Sequence, residues 1–316
     1  MPCVKHQFTY GLTALLILAQ SAFVASPNPV AAQHTPTANN GGVIASSVVM
    51  RDKPFSDEDF AQHLEELKLR LPHDAFHIIV QKPFVIIGDE APNVVEYRAE
   101  RTVKWAVDRI KQIYFEKDPT HIIDIWLFKD KESYEKHTYE LFGKKPHTPY
   151  GYYSSRDRAL VMNIATGGGT LVHEIVHPFI EANFDRCPAW FNEGLASLYE
   201  QCQDRDGKIW GLTNWRLRGL QLAIEADRLP TFEELFSTTT RQFYNDDPGT
   251  NYSQARYLCY YLQEKGLLVR FYHEFVKTVD QDATGYLTLQ RVLERTDMDQ
   301  FETEWKSFIL DLRFER

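Results

Sequence analysis

Cysteine is scarce in this chain, and the few present form no framework. Four stand among 316 residues: Cys3, Cys187, Cys202 and Cys259. Cys3 falls in the N-terminal leader described below, and three cannot all pair. Cys187 and Cys202 bracket a predicted helix whose ends would stand about 18 Å apart, beyond disulfide reach. None of the spacings is that of a thiolate zinc site, and no cysteine has a basic neighbour that would make it a nucleophile, so buried thiols are expected. Positive charge is also in deficit, with 35 Lys and Arg against 44 Asp and Glu and a formal net charge of −9. A surface of that sign offers little to a phosphate backbone, so nucleic acid is not an expected partner. The apolar run over residues 11–19 is broken by Gln20 and is too short for a comfortable membrane span. No phosphate-loop lysine follows Gly167-Gly168-Gly169, which leaves a nucleotide site without support.

What is present begins with Lys5, the apolar run, and small residues up to Val30-Ala-Ala32. Residues 1–32 read as an export signal cleaved after Ala32, which makes the mature protein secreted or periplasmic with no stable membrane span. An uncleaved anchor is the alternative. Residues 33–55 are rich in Thr, Ala, Asn, Gly and Ser around Asn39-Asn-Gly-Gly42, lack helical periodicity, and read as a disordered linker. The remaining chain, about 260 residues, suits one large domain or two closely joined lobes, 56–183 and 184–316.

Ser56 opens a helix with Asp59 at the capping-box position, and Phe60, Leu64, Leu67 and Leu71 recur at helical spacing up to Pro72. Residues 76–80 and 84–88 are β-branched runs split by Lys82-Pro83 and predict two strands. Val95, Ala99, Val103, Ala106, Ile110 and Ile113 form the apolar stripe of a long helix whose basic face is solvated. Residues 121–128 predict another strand, followed by a charged helix through Glu140, and residues 151–153 and 159–163 an edge hairpin. From Cys187 onward no strands are predicted. Helices are expected over 215–227, from a Thr231 cap with Glu234, over 252–263 and 268–279, and in a last segment with Phe301, Trp305, Phe308, Ile309 and Leu312 on one face. The expected class is α+β, a small mixed sheet with flanking helices followed by an α-helical lobe.

The most specific pattern is His173-Glu174-Ile-Val-His177. Residues four apart share a helical face, so both imidazoles can reach one ion, and Glu174 falls beside the coordination position where water needs a general base. Pro178 follows directly, removing a helical N–H and its bond to the Glu174 carbonyl. The His177 N–H still bonds back to His173, so the metal turn survives while the helix is expected to bend after it. A second amphipathic helix is predicted over 189–200, with Trp190, Phe191, Leu195, Leu198 and Tyr199 apolar and Glu193 inside it.

These two helices resemble those of the gluzincin metallopeptidases, and Asn192-Glu-Gly-Leu-Ala-Ser197 is similar to the Asn-Glu-Gly-Phe-Ala-Ser of their aminopeptidase branch. The resemblance implies that Glu193 is the third ligand of one zinc ion per chain, with one position left to water. It also implies a zincin-like active-site helix at the junction of the α/β and helical lobes. The segment beginning Asn251-Tyr-Ser is similar to the Tyr-Glu-Lys-Gly segment of the same branch, whose tyrosine stabilises the tetrahedral oxyanion; Tyr252 takes that position. Such a donor is worth about 3 kcal/mol of barrier, and ordinary packing is the other reading of a tyrosine heading a helix. The interval from His177 to Glu193 is shorter than in the aminopeptidases and nearer to the peptidase MA-like domains of exported proteins. Ala159-Leu-Val-Met-Asn163 lacks the glutamate with which the aminopeptidase Gly-x-Met-Glu-Asn element grips a free amine, which favours an endopeptidase. In gluzincins the edge strand preceding the metal helix takes up extended substrate by strand addition.

The resulting expectation is an exported zinc-dependent peptidase acting on a peptide or protein substrate, with His173, His177 and Glu193 holding the metal, Glu174 as base and Tyr252 as oxyanion donor. Its rival is a non-catalytic exported binding or scaffold domain with a gluzincin-like fold. Glu174, which a purely structural metal site does not need, stands against the rival. The other histidines, His63, His73, His77, His121, His137, His147 and His273, have no ligand spacing.

Overall fold

Short runs dominated by Val, Ile, Leu and aromatic residues, with Asp124 and Asn163 as the buried polar members, build the centre of a five-stranded mixed sheet. In a computed structural model, residues 54–245 and 249–314 are described; the expected signal, and the expected linker up to residue 53, lie outside them. The strands are β1 (His77–Gln81), β2 (Phe84–Gly88), β3 (Ile123–Phe128), β4 (Gly151–Ser154) and β5 (Ala159–Asn163), in the spatial order β1-β2-β3-β5-β4. β1 and β4 pair antiparallel to their neighbours, whereas β2, β3 and β5 run parallel to one another. Every residue of those three is buried, as parallel strands covered on both faces require.

Covering begins with α1 (Asp57–Lys68), where the Ser56–Asp59 capping box is formed. The predicted long helix is α2 (Pro92–Arg98), a π-helical stretch Ala99–Lys104, and α3 (Trp105–Ile113), followed after β3 by α4 (Lys131–Phe142). Alternation along the strands sorts the core into two layers. Val85, Ile87, Trp126, Phe128 and Val161 face Phe60, Leu67 and Tyr134 on one side. Phe84, Ile86, Ile125, Leu127, Leu160 and Met162 face the other, in a core that continues without interruption into the C-terminal helices as far as Ile309.

The second half contains α5 (Gly168–Asn183), α6 (Ala189–Leu198), β6 (Cys202–Arg205), β7 (Lys208–Gly211), α7 (Arg216–Glu225), α8 (Phe232–Phe236), α9 (Thr240–Asn245), α10 (Thr250–Glu264), α11 (Leu268–Thr278), α12 (Tyr286–Leu293) and α13 (Met298–Asp311). The mixed α and β class is as expected, but the expectation of no strand beyond Cys187 is overturned by β6 and β7. Asp206 and Gly207, at φ of 54° and 77°, make the two-residue turn that suits the twist of a hairpin. The expected edge hairpin is formed by β4 and β5, with Gly151–Ser154 as the outer strand and Ala159–Asn163 inside the sheet between β3 and β4. α5 continues through Pro178 to Asn183. The three described cysteines are free; Cys259 is buried as expected, while Cys187 and Cys202 are only half-buried. Among the described residues, no helix is long and apolar enough to cross a membrane.

Candidate metal centre

α5 and α6 carry the proposed ligands, and glycine sets how closely their neighbours approach. A Cβ on Gly169, in the first turn of α5, would lie 2.0 Å from the carbonyl oxygen of Glu200, so only glycine lets this turn meet the end of α6. The glycine run thus has a packing role beyond a flexible lead into the helix. Gly194 does the same between α6 and α10, where a Cβ would stand 2.9 Å from the Ala255 carbonyl oxygen and 3.1 Å from Cys259 Sγ. Gly194→Ala is therefore expected to cost about 1–3 kcal/mol in denaturant unfolding, because backbone rather than a flexible side chain must yield.

On this frame the i, i+4 spacing brings the rings of His173 and His177 to a centroid separation of 4.9 Å. Glu193 reaches across from α6, with Oε2 at 3.3 Å from His173 Nε2 and Oε1 at 3.9 Å from His177 Nε2. One ligand atom from each lies within 4.8 Å of the others, and all three side chains are buried. Among the described residues no other cluster of three such side chains is placed to hold a metal ion.

The opposite ring nitrogens are held from behind. Asn192 Oδ1 lies 2.8 Å from His177 Nδ1, and Glu200 Oε1 lies 3.4 Å from His173 Nδ1, the latter a charge contact rather than an aligned hydrogen bond. Acceptors at both Nδ1 atoms favour the tautomer that turns the Nε2 lone pairs toward Glu193. Glu200 is itself clamped, taking hydrogen bonds from Arg216 Nε at 2.9 Å, Arg216 Nη2 at 2.7 Å and Asn214 Nδ2 at 3.0 Å. Burial alone would raise the Glu200 carboxyl, but the Arg216 guanidinium and then His173 hold it well below the usual carboxylate range.

Electrostatics favour a cation at this point. Burial works against charge on His173, yet Glu193 and Glu200 outweigh it and pull the imidazole up to about 10. Burial dominates at His177, which is pushed below its ordinary value and stays neutral. One site that attracts a proton beside one that does not is the field a divalent ion can satisfy through two neutral imidazoles and a carboxylate. The donor set thus fits a metal.

Glu174 sits at the side of the group. Its Oε2 accepts the Tyr153 N–H at 2.9 Å and lies 3.8 Å from His177 Nε2. That N–H is available because Asn163 N–H donates to the Tyr150 carbonyl, which fixes positions 151 and 153 as the outward-pointing ones of β4. Tyr252, on α10, is buried, and its hydroxyl has no hydrogen-bond partner among the described residues. Burial and then Glu193 push its phenol well above the ordinary range, so it stays a donor.

Several residues of the site were not assigned from the sequence. Tyr244 on α9 donates its hydroxyl to Glu193 Oε1 at 2.8 Å, and its ring lies 6.2 Å from that of Tyr252. Nothing in the local pattern around Tyr244 marks it. Asn192 and Glu200 were legible in principle: one adjoins Glu193 and the other follows it by two helical turns. A cleft of about 200 Å³ reaches the group from solvent, lined by Tyr153, Ser155, His177, Glu181, Asn192 and Tyr244, among others. The other histidines lie elsewhere; His63 contacts Asp124, His137 contacts Glu140, and His273 contacts the Ile113 carbonyl.

No family model matches the chain, and no curated protein matches it.

Proposed function

We propose that this protein is an exported zinc-dependent peptidase of gluzincin type, with its active-site helix at the junction of the sheet and the C-terminal helices. His173, His177 and Glu193 would hold the zinc, since two imidazoles and one carboxylate are its usual catalytic set. When bound, the ion supplies Lewis acidity that acidifies water and polarises a carbonyl. The observation that carries the reading is Glu174: a buried carboxylate beside the ligand group, aimed by the Tyr153 N–H, has no purpose in a purely structural metal site.

In this reading the chain's own groups divide the work. Glu174 takes a proton from the attacking water and returns it to the leaving amine. Tyr252, a protonated phenol with its hydroxyl unengaged by the described residues, donates to the oxygen that develops negative charge. The outward backbone groups of β4 other than the Tyr153 N–H, which is bonded to Glu174, take an extended substrate as an added strand, so within the edge hairpin this role falls to Gly151–Ser154. Endopeptidase action is favoured because the segment similar to the amine-binding element carries no glutamate and lies inside the sheet.

The test is digestion of a denatured protein and of a peptide library, with and without a chelator. Chelator-sensitive cleavage that zinc restores, and that proceeds equally on peptides with blocked amino termini, is expected. Cleavage of free-amine peptides alone would establish an aminopeptidase, and zinc binding without any cleavage would establish the binding or scaffold domain.

A further inference from the structure

A buried arginine that neither binds the proposed metal nor faces the cleft requires an explanation. Arg216 is the first residue of α7, and its side chain is nine-tenths buried. Its guanidinium makes the two-pronged contact with Glu200 described above. Its Cζ also lies 5.6 Å from the centroid of the Tyr252 ring. One planar cation therefore contacts both the carboxylate behind His173 and the phenol proposed as oxyanion donor.

The chain has built a route to deliver it. After α6 ends at Leu198 and the chain passes Glu200, the β6–β7 hairpin leads out and back, and Leu212 N–H closes onto the Gln201 carbonyl at 2.8 Å. Asn214 then stops the chain: its Nδ2 donates to Glu200, its Oδ1 accepts the Arg216 N–H at 3.1 Å, and its own N–H donates to Tyr257 Oη at 3.0 Å. Tyr257 belongs to α10, the helix that also bears Tyr252. Hairpin, turn and α10 thus fix where the guanidinium lies.

Stability alone does not account for such an arrangement. A buried ion pair roughly breaks even against apolar side chains of the same volume, whereas planar bidentate geometry gives orientation that a lysine cannot. Groups behind a ligating histidine set its orientation and basicity.

Building on the peptidase reading, we propose that Arg216 is the positioning residue of the metal centre, holding His173 in ligating orientation through Glu200 and supporting the Tyr252 ring directly. Metal affinity and turnover then share one buried determinant that touches neither metal nor substrate.

The experiment measures zinc affinity of the full folded chain by competition with a chromophoric chelator, for wild type, Arg216→Met, Arg216→Lys, Glu200→Gln and the double variant Arg216→Met/Glu200→Gln. Arg216→Met is expected to weaken zinc binding about 10–100-fold, and Glu200→Gln by a similar factor. Arg216→Lys, which keeps the charge without the fork, should fall between wild type and Arg216→Met. The double variant should bind no more weakly than Glu200→Gln alone, because the arginine acts through that carboxylate. It also carries the comparison if Arg216→Met does not fold, since it leaves no buried carboxylate unpaired. At saturating zinc, kcat of Arg216→Met should still fall with KM little changed, reporting the Tyr252 contact.

A folded Arg216→Met or Arg216→Lys with wild-type zinc affinity, or losses that simply add in the double variant, would overturn the proposal and leave Arg216 a packing element. Because affinity is read without substrate, the zinc results stand even if no peptide is cleaved; a wild-type chain that binds no zinc removes the metal reading and this inference together.

Discussion

Glu174→Gln is expected to keep its metal and lose turnover by a factor of about 10²–10⁴, the usual contribution of a positioned general base. The amide has the same shape and can still accept the Tyr153 N–H through its oxygen, so the packing of α5 against β4 is preserved. Its nitrogen cannot accept a proton. The ligand group does not include Glu174, so zinc content should equal that of wild type, and the loss should appear in kcat with KM nearly constant. A Glu174→Gln protein with wild-type kcat would remove the proposed base while leaving the metal site intact.

The second large effect is on stability. A ligand that binds only the folded chain stabilises it by about 4 kcal/mol at a thousandfold excess over Kd, which for a chain of this size moves the melting temperature by roughly 10 °C. Zinc should therefore raise the Tm of wild type by that order, and a chelator should reverse it. His177→Ala should abolish the shift. That position is the informative one, because His177 is held neutral by burial, so its loss leaves the surrounding carboxylates as they were. The metal-free protein should remain folded near neutral pH, with protonated His173 between Glu193 and Glu200. Folded His173 titrates at about 10 against an ordinary value of 6.5, so its stabilising contribution is complete below 6.5 and is lost as pH rises through about 10. Zinc-loaded protein should not show that loss. Thermal melts from pH 6 to 10 with zinc and with chelator check both statements; equal Tm values throughout would count against a metal at this position.

How far the sequence reached depends on the range of the interaction. His173, Glu174 and His177 fall within little more than one turn of a single helix, and local periodicity places them without tertiary information. The Glu193 side chain meets them because α6 packs back on α5, which the similarity of Asn192-Glu-Gly-Leu-Ala-Ser197 anticipated. Gly194 has a reason visible only in three dimensions, the carbonyl of Ala255 pressed against it. The β6–β7 hairpin was legible in the Asp206-Gly207 pair between two short runs, but its exposed, charged first strand has no apolar alternation to mark it. The edge strand was assigned within a hairpin without deciding which member lay outside. The apolar run Ala159–Met162 belongs inside the sheet for the physical reason that an inner strand is covered on both faces. Arg216 and Tyr244 reach the centre through loops and a short helix, and no spacing rule connects either residue to His173 or Glu193.

Elemental analysis of the purified, folded chain after zinc supplementation and desalting tests the central claim most directly. Wild type should carry about one zinc per chain and His177→Ala essentially none. Folded wild-type protein without a bound metal, or a His177→Ala protein that retains a full equivalent, would contradict it.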